Sequence, residues 1–217
     1  VKTLLTPEHE SQQNSVYLFL LNWSTPLALI ISCIFFSLMN PYFATPSTLL
    51  DILNRSVVLS ILSLAFTMAF ITGCIDISIG VSCSLSGVMA CIMFQQGYSS
   101  GVAIGVALLT GLVIGLINAF LCGIIRILPM LATLSTMFIF QGVELAITKA
   151  RGLYPHIPDS YLFLGRGSIG PIPVSILILV VLGLIARYFL CSTRLGRHFY
   201  ATGGSKGASK AAGIDIH

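Results

Sequence analysis

The residues best placed to do chemistry in this sequence are the few polar ones set inside long apolar runs. The segment "GCIDISIG", residues 73–80, puts Asp76 and Ser78 between Gly73 and Gly80, with apolar runs on either side. A second set, Thr133, Met137, Gln141, Glu144 and Thr148, falls on one helical stripe by its i+3 and i+4 spacing. A third, Asn118, continues the small-residue stripe of Gly111 and Gly115 towards Cys122, with a shorter stripe at Gly101 and Gly105. A carboxylate in mid-span costs roughly 2.5 to 3.5 kcal/mol, so such groups face a bundle interior or a water-filled cavity. Each residue has two readings. Asp76, Ser78 and Gly80 form either a polar node where two spans meet, or a tight turn whose Asp caps the next helix. Asn118 faces a polar path or serves helix packing. Glu144 lines a path or is solvated near the interface, and Gln141 lines the same path or, the better reading, is an interhelical hydrogen-bonder. Catalysis finds no matching set, because Asp76 and Glu144 belong to different spans and no nucleophile–base pair stands at helical spacing.

Other motifs point nowhere specific. "GRGSIG", 165–170, matches a dinucleotide fingerprint by letter, but Pro171 and an apolar run follow it rather than the helix of a βαβ unit. "GGSKGASK", 203–210, has Ala208 where a phosphate loop needs its second glycine, so no bound nucleotide is expected. Cys33, Cys74, Cys83, Cys91, Cys122 and Cys191 make no C-x-x-C pair, and most lie in apolar runs as small packing residues. His9, His156, His198 and His217 are too scattered for a metal site. No cofactor is expected. Asn22 and Asn54 begin short glycosylation patterns of a kind that arise by chance.

The elements that must position these residues are membrane spans. The chain has 217 residues, 56% hydrophobic and 8% charged, against about 25% charged in soluble domains. Its solvent is largely lipid, and its scattered basic residues give no footprint for nucleic acid. About 20 apolar residues cross a bilayer core of about 30 Å. Six stretches answer to that: 16–39 with Pro26 inside, 57–72 or from as early as 49, 77–94, 101–125, 129–148 and 172–190. The fold class is therefore all-α, a polytopic transmembrane bundle of about six spans. The basic tail, with Arg187, Arg194, Arg197, Lys206 and Lys210, is placed in the cytoplasm. Parity then puts the N-terminus, with Lys2, and the loop at Arg126 inside, and leaves Arg55, Lys149, Arg151 and Arg166 outside. The domain reading is a cytoplasmic segment 1–15, a membrane region 16–190 and a cytoplasmic segment 191–217. The connection 149–171 is rich in Pro and Gly, which argues against a regular helix there; it is a small cap or an unremarkable loop.

Three segments in order carry a family resemblance: "GCIDISIG", "LPMLATLSTMFIFQGV" and "STRLGRHFYATGGSKGASKAAGIDI". Over residues 50–217 the chain resembles the ribose-type sugar ABC permeases, of one superfamily with the branched-chain amino-acid permeases. Asp76, Ser78 and Gly80 match that family's G-G-I-D-L-S-V-G motif, and Cys74 departs from its second glycine. Gln141 stands where an arginine is common, and Ser205 where an asparagine often follows Gly-Gly.

The resemblance implies a transport subunit, not an enzyme, in the bacterial inner membrane. It would move a monosaccharide by alternating access, with a second permease subunit, two ATP-binding subunits and a periplasmic sugar-binding protein as partners. It also implies that 203–213, with Gly203, Gly204, Ser205, Gly207, Ala208, Lys210 and Gly213, is a cytoplasmic coupling helix docking on the ATPase. Family members continue with further spans, so the chain is expected to be C-terminally truncated. Alternatives are a permease for another polar solute such as an amino acid, or a non-transporting membrane remnant.

Overall fold

The structure, a computed structural model, describes residues 7–215, and their side chains from Trp23 onward. Lys2 and His217, and the side chains of His9 and Asn22, lie outside the described residues. Two compact units divide at Ile52 and Leu53. The first holds α1 (Pro7–Met39), a turn, and the start of α2 (Pro46–Ile71). The α1–α2 turn is tied by hydroxyls: Thr45 and Thr48 both donate to the Tyr42 carbonyl at 2.8 Å.

The second unit continues α2 and adds α3 (Ile79–Gln95), α4 (Ser100–Ala119) running into a π-helical turn (Phe120–Ile124), α5 (Pro129–Thr148) and α6 (Asp159–Arg166). A short antiparallel hairpin follows, β1 (Ser168–Ile169) and β2 (Ile172–Pro173), then α7 (Val174–Ser192), α8 (Arg194–Gly204) and α9 (Lys206–Ala211). The chain is all-α in class. Among the described residues, four helices are long and apolar enough to cross a membrane: α2, α4 with its π turn, α5 and α7. Two shorter apolar stretches fall on the expected first and third spans: Trp23–Met39, the part of α1 whose side chains are described, and α3, of 17 residues. Their outer faces are apolar and open: Leu108, Leu109, Leu112 and Leu116 of α4 are all more than half exposed. Such faces suit lipid and not water.

Glycine ends three of these helices in the same way. Gly73, Gly97 and Gly213 take φ of +81°, +79° and +77°. In each case the glycine N–H and the next one bond back to carbonyls three and five residues earlier, as Gly73 to Phe70 and Cys74 to Ala69. This is the Schellman ending, which needs a left-handed residue that glycine adopts without a Cβ clash. Gly213 therefore terminates α9.

α3 packs against both α4 and α5. On α4 the inward face is Ala103, Ile114 and Asn118, all buried. Gly101, Gly105 and Gly115 point outward with nothing within 4 Å of a built Cβ; only Gly111 of the two glycine stripes faces a neighbour, the Ser86 hydroxyl at 3.5 Å. The connection 149–171 differs from the expectation of irregular chain, since α6 forms inside it. Its prolines and glycines stand at the helix ends, Pro158 before and Gly167 after, and so permit the helix between them. α6 covers the α3–α4 turn: Tyr161 meets Phe94 edge-on at 4.9 Å, and the Ser100 and Ser160 hydroxyls are 2.8 Å apart. "GRGSIG" is the end of α6 and the hairpin.

Candidate functional site

The chain from Thr72 to Ser78 leaves the helical path between α2 and α3 and lies against α4 and α5. Asp76 is not the N-cap of α3; Ser78 holds that position. The Asp76 carboxylate accepts the Ser78 N–H at 2.8 Å and the Ser78 hydroxyl at 2.7 Å, an Asx turn closed two residues ahead. Ser78 makes no side-chain cap bond: its backbone is already helical, at φ −78° and ψ −6°, and its hydroxyl oxygen accepts from Asn118.

From Ser78 the hydrogen bonds continue across helices. The Asn118 amide NH2 donates to the Ser78 hydroxyl oxygen at 2.7 Å, and the Thr136 hydroxyl donates to the Asn118 amide oxygen at 2.7 Å. Beside this chain the Ile77 N–H donates to the Thr133 hydroxyl at 3.1 Å, and that hydroxyl reaches the Ile75 carbonyl at 3.3 Å. Ser78, Asn118, Thr133 and Thr136 are all buried. The four bonds that join Asp76, Ser78, Asn118 and Thr136 thus tie the break to α4 and α5. The depths agree: Asn118 lies six residues before the end of the π turn at Ile124, and Thr136 seven after Pro129, each about 10 Å at about 1.5 Å per residue.

Gly80, two residues after Ser78, opens onto a cleft of about 380 Å3 between α3 and α5. Its lining includes Gly80, Ser84, Met137, Gln141 and Glu144. This brings together three members of the predicted α5 stripe and the far side of the "GCIDISIG" motif. The Ser84 hydroxyl donates to the Glu144 carboxylate at 2.7 Å, so Glu144 is half-buried and faces α3. Gln141 is exposed in the same cleft. Thr148, at the end of the stripe, bonds back to the Glu144 carbonyl at 2.8 Å.

The predicted coupling residues are not one helix. Gly203 and Gly204 end α8, Ser205 is the N-cap of α9 and accepts the Ala208 N–H at 3.2 Å, and Gly207, Ala208 and Lys210 lie in α9. Gly204, Ser205, Gly207, Ala208 and Lys210 are exposed, while Ser209 is buried. None of these residues lines the cleft.

Sequence reasoning missed Ser84, Thr136 and the π turn. A serine in an apolar helix has no periodic signal, and Ser84 finds its partner 60 positions away. Thr133 and Thr136, three apart in "LATLSTM", held a signal: two hydroxyls on one helical face of an apolar run.

A family model described as branched-chain amino acid transport system / permease component matches residues 48–217. The chain is 29% identical over 213 residues to ribose import permease protein RbsC of Haemophilus influenzae, covering 97% of this chain and 66% of that protein. It is 32% identical over 192 residues to the ribose import permease of Bacillus subtilis, covering 88% of this chain and 59% of that one. To the D-allose transport system permease protein AlsC of Escherichia coli it is 36% identical over 88 residues, covering 41% of this chain and 27% of the other. The chain thus spans less than two thirds of the length of these relatives. No solved structure matches. A multi-pass apolar bundle with a family match from Thr48 to the last residue belongs to the permease components of branched-chain amino acid transport type, among the ribose-type ABC permeases.

Proposed function

We propose that this chain is membrane-spanning sequence of a bacterial sugar importer's permease subunit, and that the α3–α5 cleft is part of the solute path. The observation that carries the reading is the cleft itself. A half-buried carboxylate, a free-standing amide and a hydroxyl converge there between two apolar helices. Such groups suit a neutral polyol, whose hydroxyls donate to carboxylates and exchange bonds with amides. The volume of about 380 Å3 lies in the range of roughly 300 to 1,000 Å3 typical of small-molecule sites. Ribose and allose permeases among the relatives make a monosaccharide the favoured solute.

Residues 16–190 are the membrane region in this reading, with 1–15 and 191–217 on the cytoplasmic side of the inner membrane. Support comes from the bundle's ends. The α2 end, the α4–α5 turn and α8 lie together, since Gly203 meets Ile71 and the break at 72–78 reaches Asn118 and Thr133. Arg126, Arg194, Arg197, Lys206 and Lys210 follow those elements, which suits the cytoplasmic side. α3, at 17 residues, is about 25 Å long, so the buried Ser78 at its start sits below the membrane surface if Gln95 marks the other one.

The subunit catalyses no covalent chemistry and binds no cofactor. It pairs with a second permease subunit, alternates access as two partner ATPases close, and receives its solute from a periplasmic binding protein. The test is uptake by the complete importer in cells given labelled ribose, allose or leucine. Sugar uptake that falls at least severalfold in Glu144→Gln and Ser84→Ala is expected. Leucine uptake without sugar uptake points to the amino-acid branch and overturns the solute, and no uptake of any solute leaves a non-transporting remnant.

A further inference from the structure

Two adjacent glycines end α8, and their surroundings differ. A Cβ built on Gly204 meets nothing within 4 Å, whereas one on Gly203 collides with the carbonyl oxygen of Ile71, the last residue of α2. The obstacle is backbone, so no rotamer change relieves it. The next heavy atoms on that side are the carbonyl carbons of Ile71 and Thr72 at 3.0 and 3.5 Å, so the contact is a local one between Gly203 and the backbone that closes α2. Immediately beyond stands Gly73 in its left-handed ending, then Cys74, then the Asp76 turn that reaches Asn118 and Thr136.

We infer that Gly203 is a positioning residue: it seats α8 backbone-to-backbone on the end of α2, beside the break that carries Asp76, and it is not a contact to the ATPase. Gly203 is exposed like Gly204, Gly207, Ala208 and Lys210, and what sets it apart is the Ile71 backbone on its Cβ side; the residues offered to a partner are then the other four. A push on α9 passes through α8 to the last turn of α2. From there the chain runs through Gly73 and Cys74 to the Asx turn and its hydrogen bonds to α4 and α5. The coupling half of this inference rests on the importer reading; the seat does not.

Cys74 reports the seat. It is half-buried one residue after Gly73, and the other five cysteines can be replaced. In membranes carrying the full protein, Gly203→Ala should raise the maleimide-labelling rate of Cys74 severalfold, and Gly204→Ala should leave it unchanged. In the complete importer, Gly203→Ala should retain the ATPase at the wild-type level while uptake per ATP hydrolysed falls about tenfold, the change that about 1.4 kcal/mol of lost seating gives. An unchanged Cys74 rate in Gly203→Ala overturns the seat. Loss of ATPase retention with an unchanged Cys74 rate assigns Gly203 to docking instead. Should Gly203→Ala fail to accumulate in the membrane, Gly204→Cys with Cys74 as the sole other thiol supplies the answer. A short bismaleimide should join the two, and its failure to do so overturns the seat. Neither thiol measurement needs sugar or ATPase, so accelerated labelling without any sugar uptake sinks the importer reading and leaves the seat intact.

Discussion

Asp76→Ala and Asp76→Asn separate the carboxylate's geometry from its charge. In the native site one carboxylate oxygen accepts both the Ser78 N–H and the Ser78 hydroxyl. Alanine removes that acceptor and both bonds. Ser78 is fully buried, so its N–H is left without a partner, a loss of about 1 to 3 kcal/mol. Its hydroxyl still accepts from Asn118 but loses its own acceptor, which adds about 0.6 kcal/mol on the scale measured for side-chain bonds in membranes. Removing a half-buried charge returns part of this as relieved desolvation, so the net expectation is about 2 to 3 kcal/mol. Asparagine keeps an oxygen in the same place. Charge-assisted bonds are about twice as strong as neutral ones, so the Asn variant gives up roughly half of two bonds, about 1 kcal/mol. The assay is reversible unfolding of the protein in mixed micelles with increasing SDS, followed by circular dichroism. The two variants should differ by about 1 to 2 kcal/mol, close to tenfold in the unfolding equilibrium. Equal values for Ala and Asn, or an Ala variant as stable as wild type, would refute the claim that the Asx turn holds the break together.

Asn118→Leu removes the two 2.7 Å bonds that join the break to α5, but leaves Thr136 bonded to the Thr133 carbonyl and Ser78 bonded to Asp76. It should therefore cost about 1 kcal/mol in the same assay, and a loss as large as that of Asp76→Ala would contradict this ordering. A cysteine at Lys206, with the native cysteines replaced, should resist a membrane-impermeant maleimide in intact cells and react in inverted vesicles; labelling in intact cells would reverse the proposed orientation. Ala208→Trp on the exposed face of α9 should block retention of the ATPase while the spans remain inserted, and pull-down at the wild-type level would end the docking proposal.

How far each of these residues could be read before the fold was seen depends on whether its partner is near in sequence. The Asx turn is local: Asp76 and Ser78 stand two apart, and a charge between two glycines in an apolar run marks the break directly. The helix endings at Gly73 and Gly213 are local in the same way. The α5 stripe was legible because a helix repeats its faces at 3.6 residues, so Met137, Gln141 and Glu144 had to share one side. Which helix that side would meet was not, because lipid removes the signal that tells inside from outside in a soluble bundle. An apolar face is wanted in both places, so the glycines at 101 and 105 read as a packing stripe and point outward instead. Two neighbours in the tail could not be told apart for a related reason. Gly203 and Gly204 are the same letter, and only the Ile71 carbonyl, 132 positions earlier, gives one of them a neighbour.

The hydrogen-bond chain also explains why the break can exist at that depth. Non-helical backbone in a membrane persists only where its polar groups are satisfied by protein or by water. Here the N–H of Ile77 is met by Thr133 and the N–H of Ser78 by Asp76, so two donors that a continuous helix would have satisfied internally are taken up by side chains. The Ile75 carbonyl is met by Thr133 as well. Thr133 thus substitutes for a turn of helix on both sides, donating to one backbone group and accepting from another, as only a hydroxyl among small side chains can. Thr133→Val keeps the shape and deletes both roles. It should destabilise the protein by about 1 to 3 kcal/mol, since the half-buried Ile77 donor then has no acceptor. Thr133→Ser, which keeps the hydroxyl, should recover most of that loss. If Val and Ser behave alike in the micelle assay, the hydroxyl is not what holds the break, and packing of the side chain's methyl group takes its place.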